Sequence, residues 1–403
     1  MPAAGRLTIA LVGTRGVPAR YGGFETAVEE VGRRLADRGH RVVVYCRSAP
    51  ETDRPREYLG MQLVHLPALR QRSLETLSHT GLSVLHLLRH RVDAAILFNA
   101  ANAPWLPLVR AARIPVATHV DGLEWKRAKW GPTGRRYYRT AEALAVRWSD
   151  ALIADASGIQ EYYRGEFDAP TRLIAYGAPL VQRGTDEKLA GIGLEPDRYH
   201  LVVARFEPEN HVELAVRGYT SSTAEHPLVV VGSAPYAREY TQRVHAAADG
   251  RVRFLGGVWD AELLDQLFAN ALTYVHGHSV GGTNPALLRA IGAGTATIAY
   301  DVGFNREVLA ADGRYFADPA GVARGVVEAE KDPEAARRRG AALRERALAY
   351  DWDDVADRYE QLARDLASRR VRRPSLSGRR RPATADPARV RGPQAGLERE
   401  AAE

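Results

Sequence analysis

The sequence predicts an α/β protein built as two doubly wound domains that face each other across a cleft. Three observations lead there. The chain has 403 residues, beyond the roughly 250–300 at which a single hydrophobic core stops growing. Short apolar runs alternate with segments of helical period, the pattern of parallel strands covered on both faces by helices. That alternation runs through twice, with a polar, Gly-rich lapse between about 178 and 197.

In the first half the runs predict strands over 7–12, 41–46, 61–66, 93–98, 114–119, 150–154 and 171–175. Between the first two, Phe24, Val28, Val31 and Leu35 fall on one helical stripe and Glu29, Glu30, Arg33 and Arg34 on the other, with Gly39 as the stop. In the second half strands are expected over 200–204, 228–231, 251–255, 272–275 and 296–300. The chain therefore divides into a first domain (1–178), a linker (179–197) and a second domain (198–350). Residues 333–349 read as a charged helix, and a further helix over 351–368 is expected to return to the first domain. Asp351 and Asp353 have the spacing of paired metal-binding carboxylates, but acids just before an apolar periodic run are helix-start chemistry, favoured by the N-terminal dipole. No other cluster has metal-ligand spacing.

Composition narrows the class. Hydrophobic residues are 45% and charged residues 26%, average for globular chains, which excludes wholesale disorder. The net charge of +7 is concentrated in residues 369–403, where ten arginines face four acids, leaving +1 for the rest. The body is nearly neutral, and no nucleic-acid partner is expected. The tail, rich in Arg, Pro and Ala without periodicity, reads as disordered, either solvated or tethered to an anionic lipid surface. Cys46 cannot form an internal disulfide and sits in an apolar run as packed core. No stretch has the length of a membrane span, and Met1 leads directly into a strand pattern without a signal-peptide core, so a cytoplasmic protein is expected.

Ligands of open α/β sheets bind beyond the carboxyl ends of the strands, so the loops there carry the function. The first strand runs into Gly13-Thr14-Arg15-Gly16-Val17-Pro18-Ala19-Arg20-Tyr21-Gly22-Gly23-Phe24-Glu25-Thr26. This lacks the spacing of a dinucleotide fingerprint, yet it brings two arginines and a Gly-Gly pair to a helix N-terminus, where free N–H groups favour an anion. The second domain opens with a strand followed by Arg205-Phe206-Glu207-Pro208-Glu209-Asn210, placing an arginine at the cleft edge, suited to phosphate. The run His278-Ser279-Val280-Gly281-Gly282-Thr283-Asn284-Pro285 ends a strand, turns on two glycines and caps a helix with Thr283 or Asn284, a cradle for a diphosphate.

These segments, with Asp121-Gly122-Leu123-Glu124-Trp125-Lys126-Arg127, resemble in content and order the GT-B nucleotide-sugar glycosyltransferases, and within them glycosyltransferase family 4 and its bacterial rhamnosyltransferase-like group. The resemblance covers about 350 residues. It implies two Rossmann-like domains, an acceptor site in the first and a donor site in the second, no metal or other cofactor, and transfer with retention at the anomeric carbon. Arg205 would hold the donor diphosphate and Gly281, Gly282, Thr283 and Asn284 would frame it. Glu307 would reach the donor sugar hydroxyls. His119 and Asp121 would approach the sugar from the opposite wall as the catalytic pair. Arg15, Arg20, Tyr21, Gly22, Gly23, Glu25, Glu124, Lys126 and Arg127 would meet the acceptor.

The sequence also departs from that family. Two glutamates eight positions apart are replaced by Gly281 and Arg289, and the lysine that accompanies the phosphate arginine is absent, with Asn210 or His211 in its place. Arg289 is expected either to supply the missing cation or to mark a non-catalytic nucleotide-sugar-binding relative; a nucleotide-sugar 2-epimerase shares the architecture. Between Glu124 and Glu142 six basic residues interleave with Trp125, Trp130, Tyr137 and Tyr138 and no acid, which reads as a membrane-proximal acceptor patch, a helix core face or, third, an RNA-stacking surface. The expected protein transfers a sugar, rhamnose by analogy, from a UDP, dTDP or GDP donor to a saccharide or lipid-diphosphate-linked saccharide in polysaccharide biosynthesis, at the inner face of the membrane.

Overall fold

The computed structural model describes residues 5–19, 22–48, 54–69, 74–120, 122–127, 129–184, 186–233, 238–371 and 377–381. In the first domain the order is β1 (Thr8–Val12), α1 (Gly23–Asp37), β2 (Arg41–Arg47), β3 (Glu57–Tyr58), β4 (Met61–Leu66), α2 (Glu75–Arg89), β5 (Ala94–Phe98), α3 (Leu106–Ala111), β6 (Val116–His119), α4 (Pro132–Trp148), β7 (Ala151–Ala154), α5 (Ser157–Phe167) and β8 (Arg172–Leu173). The sheet order β3-β4-β2-β1-β5-β6-β7-β8 is parallel except for the β3/β4 pair. Its central strands are buried along their length, as the unbroken apolar runs require of a sheet covered on both faces.

The second domain follows with α6 (Glu187–Gly191), β9 (His200–Val203), α7 (Val212–Thr220), β10 (Leu228–Val231), α8 (Arg238–Ala246), β11 (Val252–Gly256), α9 (Ala261–Ala269), β12 (Thr273–His276), α10 (Pro285–Gly292), β13 (Thr297–Tyr300), α11 (Gly303–Leu309), β14 (Arg314–Phe316), α12 (Pro319–Lys331) and α13 (Pro333–Ala347). Its sheet is wholly parallel, ordered β11-β10-β9-β12-β13-β14. The two doubly wound sheets are the fold class the sequence predicts. The hairpin at β3 and the edge strand β14 were not anticipated, because two or three residues carry no period.

The last helix, α14 (Trp352–Ala367), starts at the second domain and lies on α1 of the first. Asp351 caps it by accepting the N–H of Asp353 at 2.7 Å, the helix-start role of that acidic pair. Along the contact Arg34 meets Asp353 at 2.7 Å and Arg38 meets Asp357 at 2.7 Å, while Val355, Tyr359, Leu362 and Leu366 enter the core. At its start Trp352 occupies the space that a Cβ on Gly177 would need.

Within the segment expected to be disordered, residues 377–381 lie against α4 and α5. Arg380 places its guanidinium 2.5 Å from Glu142 and 3.1 Å from Glu166, donates to the Tyr162 hydroxyl at 2.7 Å and stacks over Phe167 at 4.6 Å. Arg381 pairs with Asp168 at 2.6 Å. The physical reason is Glu142, a carboxylate buried at the α4/α5 seam that requires a cation. Residues 372–376 and 382–403 of the basic tail lie outside the described residues. Among the described residues no helix is long and apolar enough to cross a membrane.

Candidate functional site

The carboxyl ends of both sheets open onto one cleft of about 280 Å³. From the first domain come Gly22, Gly23 and Thr26 at the N-terminus of α1; from the second come Arg205 and Asn210 after β9, Ser233 after β10, Trp259 after β11, His276 and His278 at the end of β12, and Asn284 to Ala286 at the N-terminus of α10. The two helix starts meet: a Cβ on Gly23 would stand 3.1 Å from Pro285 Cγ, so glycine is what lets them approach. Asn284, not Thr283, caps α10 by accepting the Ala286 N–H at 2.9 Å. Two helix N-termini, each presenting the positive end of its dipole, thus point into one space, although at α10 Pro285 has no N–H and that of Ala286 is taken by Asn284.

Arg205 stands at the cleft wall, with 43% of its side chain exposed and Glu207 at 3.5 Å. Burial opposes ionisation of Glu207, but Arg205, Lys129 and Arg127 together hold its carboxyl below the usual range. Gly281 and Gly282 do not line the cleft. Gly281 packs on Gly122, Gly282 on the Asp155 side chain, and the Thr283 hydroxyl donates to the Asp155 carbonyl at 2.7 Å. The glycine turn expected to cradle a diphosphate is instead a close contact between the domains.

Two further donor-side expectations are corrected. Arg289 is ion-paired with Asp265 on α9, which draws it from the cleft, so it is not the substitute phosphate cation. Glu307 accepts the Ser157 N–H through both oxygens at 3.2 Å and the Ser157 hydroxyl at 2.6 Å, satisfying the N-terminus of α5 rather than facing a sugar.

His119 ends β6 and, contrary to the expectation that it meets the sugar, is fully buried among Phe24, Phe98 and Tyr176 and does not line the cleft. Its Nδ1 is 2.9 Å from the Tyr359 hydroxyl of α14, its Nε2 has no hydrogen-bond partner, and burial drops its pKa to about 3. It is a neutral imidazole at physiological pH. Asp121, Arg20 and Tyr21 lie outside the described residues.

The acceptor-side group is mostly engaged within the protein. Glu25 accepts the Arg15 N–H at 3.0 Å and lies against Gly22, so it folds the first loop back on α1, leaving the Arg15 side chain exposed. Glu124 holds Arg127 at 2.5 Å and Lys129 at 2.9 Å and accepts the Trp130 indole N–H at 3.2 Å. Arg127 then crosses the cleft to Glu209 at 3.2 Å and Glu207 at 3.6 Å. Lys126 is exposed and stands 5.5 Å over the Trp125 ring. In the basic, aromatic segment Arg139 stacks on Trp125, Lys129 on Trp130, and the Tyr137 hydroxyl donates to Ala101 O at 2.6 Å. Many of its cations and rings therefore satisfy one another.

Sequence reasoning missed His276 and Trp259 as cleft residues, and the domain-crossing role of Arg127. The signal for the histidine was present, since it flanks Gly277 at the end of a buried strand; the signal for Arg127 was not, because its partners lie about 80 residues away.

Comparison with known proteins agrees with this geometry. The chain has no significant match among curated proteins. Among solved structures, sucrose-phosphate synthase from Thermosynechococcus elongatus superposes with a TM-score of 0.78 at 21% identity, covering 90% of this chain and 100% of that one. Anabaena HepE in complex with UDP-glucose gives a TM-score of 0.73 at 15% identity, covering 89% and 100%. The Escherichia coli trehalose-6-phosphate protein bound with UDP-2-fluoro glucose gives 0.67 at 11% identity, covering 89% and 99%. Two family models match in series, the glycosyl transferase 4-like domain over 22–177 and the glycosyl transferases group 1 domain over 185–346. The chain is therefore a GT-B glycosyltransferase, a glycosyl transferase 4-like domain followed by a glycosyl transferases group 1 domain.

Proposed function

We propose that the cleft binds a nucleoside-diphosphate sugar and that the protein transfers the sugar, with retention, to a saccharide or lipid-linked saccharide in bacterial polysaccharide synthesis. The observation that carries this reading is the convergence of Arg205 with the N-termini of α1 and α10 on one cleft. A leaving diphosphate accumulates negative charge as the glycosidic bond breaks, and a guanidinium with the positive ends of two helix dipoles stabilises it where it develops. These groups meet the diphosphate charge without a metal. The neighbours solved with UDP and UDP-glucose support a uridine donor, with dTDP and GDP sugars, rhamnose among them, as the other candidates.

Asp121 orients the attacking hydroxyl. The acceptor enters past Arg15, Arg20 and Lys126, which favours one bearing phosphate, and Trp125 and Trp130 set it near a membrane surface. The test is release of nucleoside diphosphate from UDP-, dTDP- and GDP-sugars, with the anomer of the product read by NMR. Release with retained configuration supports the reading; release from none of the three, with and without membrane-extracted acceptor, overturns it.

A further inference from the structure

A glycosyl donor carries hydroxyls whose hydrogens need acceptors once water is displaced. Among the described residues that line the cleft there is no aspartate or glutamate. The carboxylates nearby are committed: Glu209 to Arg127, Glu307 to Ser157, Asp265 to Arg289. Neutral acceptors remain, the hydroxyls of Thr26 and Ser233 among them, and one further chemistry is an uncharged ring nitrogen.

Two imidazoles supply it. The Nδ2 of Asn210 donates to Arg205 O at 2.8 Å, which turns the amide oxygen toward His278 Nδ1, also at 2.8 Å. An amide oxygen only accepts, so Nδ1 of His278 carries the proton and Nε2 keeps its lone pair. A second relay runs beside the first. The Tyr274 hydroxyl reaches both Val203 O, at 3.3 Å, and His276 Nδ1, at 3.0 Å. It has one hydrogen, and both bonds form only when that hydrogen goes to Val203 O and His276 donates from Nδ1. His276 Nε2 is then also a bare acceptor, and it is buried with no partner. Leaving it so is unfavourable, and an incoming O–H relieves it. Burial keeps His276 neutral, with a pKa of about 3, and burial, with the nearby Arg127, also lowers that of His278 well below the usual imidazole range.

Gly281 completes the arrangement, because a Cβ there would stand 2.9 Å from His278 Nε2 and cover it. A lone-pair nitrogen repels a phosphate oxygen and attracts a hydroxyl, so the two rings and Arg205 divide the donor between them. Resting on the donor-site reading of this cleft, we infer that His276 and His278, held as Nδ1–H tautomers by Tyr274 and Asn210, accept hydroxyl hydrogens of the bound nucleotide sugar through Nε2.

The test has two arms. Calorimetry with UDP, dTDP and GDP, each alone and as its glucose conjugate, compares the wild type with His276→Phe, His276→Gln, His278→Phe and His278→Gln, all checked for folding by circular dichroism. Each Phe variant should bind the sugar conjugate about tenfold more weakly, and each Gln variant, whose amide oxygen can accept, should recover most of it. Long-range 15N NMR of histidine-labelled wild type should show both Nε2 atoms unprotonated, a readout that stands even where a variant fails to fold. An Nε2–H on either ring, or Phe variants that bind as tightly as wild type, overturns the inference alone. A wild type that binds none of the six ligands overturns the donor-site reading and this inference with it.

Discussion

The guanidinium of Arg127, in the loop after β6, lies 3.2 Å from the carboxylate of Glu209, in the loop after β9, and so ties the two domains together. Both are largely shielded, at 13% and 3% side-chain exposure, and Glu124 and Glu207 complete the cluster. Removing the cation strands buried carboxylates, at a cost of about 3 kcal/mol. Arg127→Met should therefore lower the melting temperature, and the loss should shrink when Glu209→Gln is added. A double-mutant cycle in which the two substitutions are additive would separate Arg127 from Glu209.

Arg205 is an exposed cation of the cleft, and its shielded partner Glu207 keeps Arg127 at 3.6 Å when Arg205 is replaced. Arg205→Ala should weaken nucleoside-diphosphate binding by about tenfold to a hundredfold, the worth of a charge-assisted contact, with little change in melting temperature. Calorimetry checks it, and unchanged affinity removes Arg205 from the diphosphate.

Glu307 distinguishes the structural reading from the sequence reading. Because its carboxylate satisfies the start of α5 across the domain boundary, Glu307→Ala should cost about 1 kcal/mol of stability and leave the affinities for nucleotide and nucleotide sugar in the same ratio. A selective loss of sugar-dependent affinity at unchanged stability would return Glu307 to the donor sugar.

The Arg380 clip has a pH signature. Burial raises the Glu142 pKa, and Arg380 and Tyr162 oppose that rise. A carboxyl with a raised folded pKa weakens the fold above that pKa, and the penalty disappears as acid protonates it in both states. Arg380→Ala raises the Glu142 pKa further, so the melting-temperature gap to wild type should be largest near neutrality and narrow as pH falls toward about 4. A gap that is constant with pH would mean that Arg380 acts through packing on Phe167 alone.

The sheets were legible because each central strand is an apolar run such as Leu201 to Val203, and the phosphate arginine was legible because Arg205 follows such a run directly. What stayed hidden was the pairing of charges. Nothing local in the sequence tells that Arg127 reaches Glu209, that Arg289 turns to Asp265, that Glu307 serves Ser157 or that Arg380 returns to Glu142. Each was read as a ligand-binding or solvated group because its partner lies between 24 and 238 positions away. The glycine pair at 281 and 282 was misread for a related reason: a glycine at a turn signals close approach, and the sequence does not say whether a ligand or another domain is what approaches.

The claim on which the rest depends is that the interdomain cleft is a nucleoside-diphosphate site. A thermal-shift comparison of the purified protein with UDP, dTDP, GDP and NAD tests it most directly, since a ligand that binds only the folded state adds about 2.7 kcal/mol of stability at a hundred times its Kd. The account predicts a rise in melting temperature with at least one of the three diphosphates, reduced by Arg205→Ala, and none with NAD. A rise with NAD alone, or with none of the four, would contradict it.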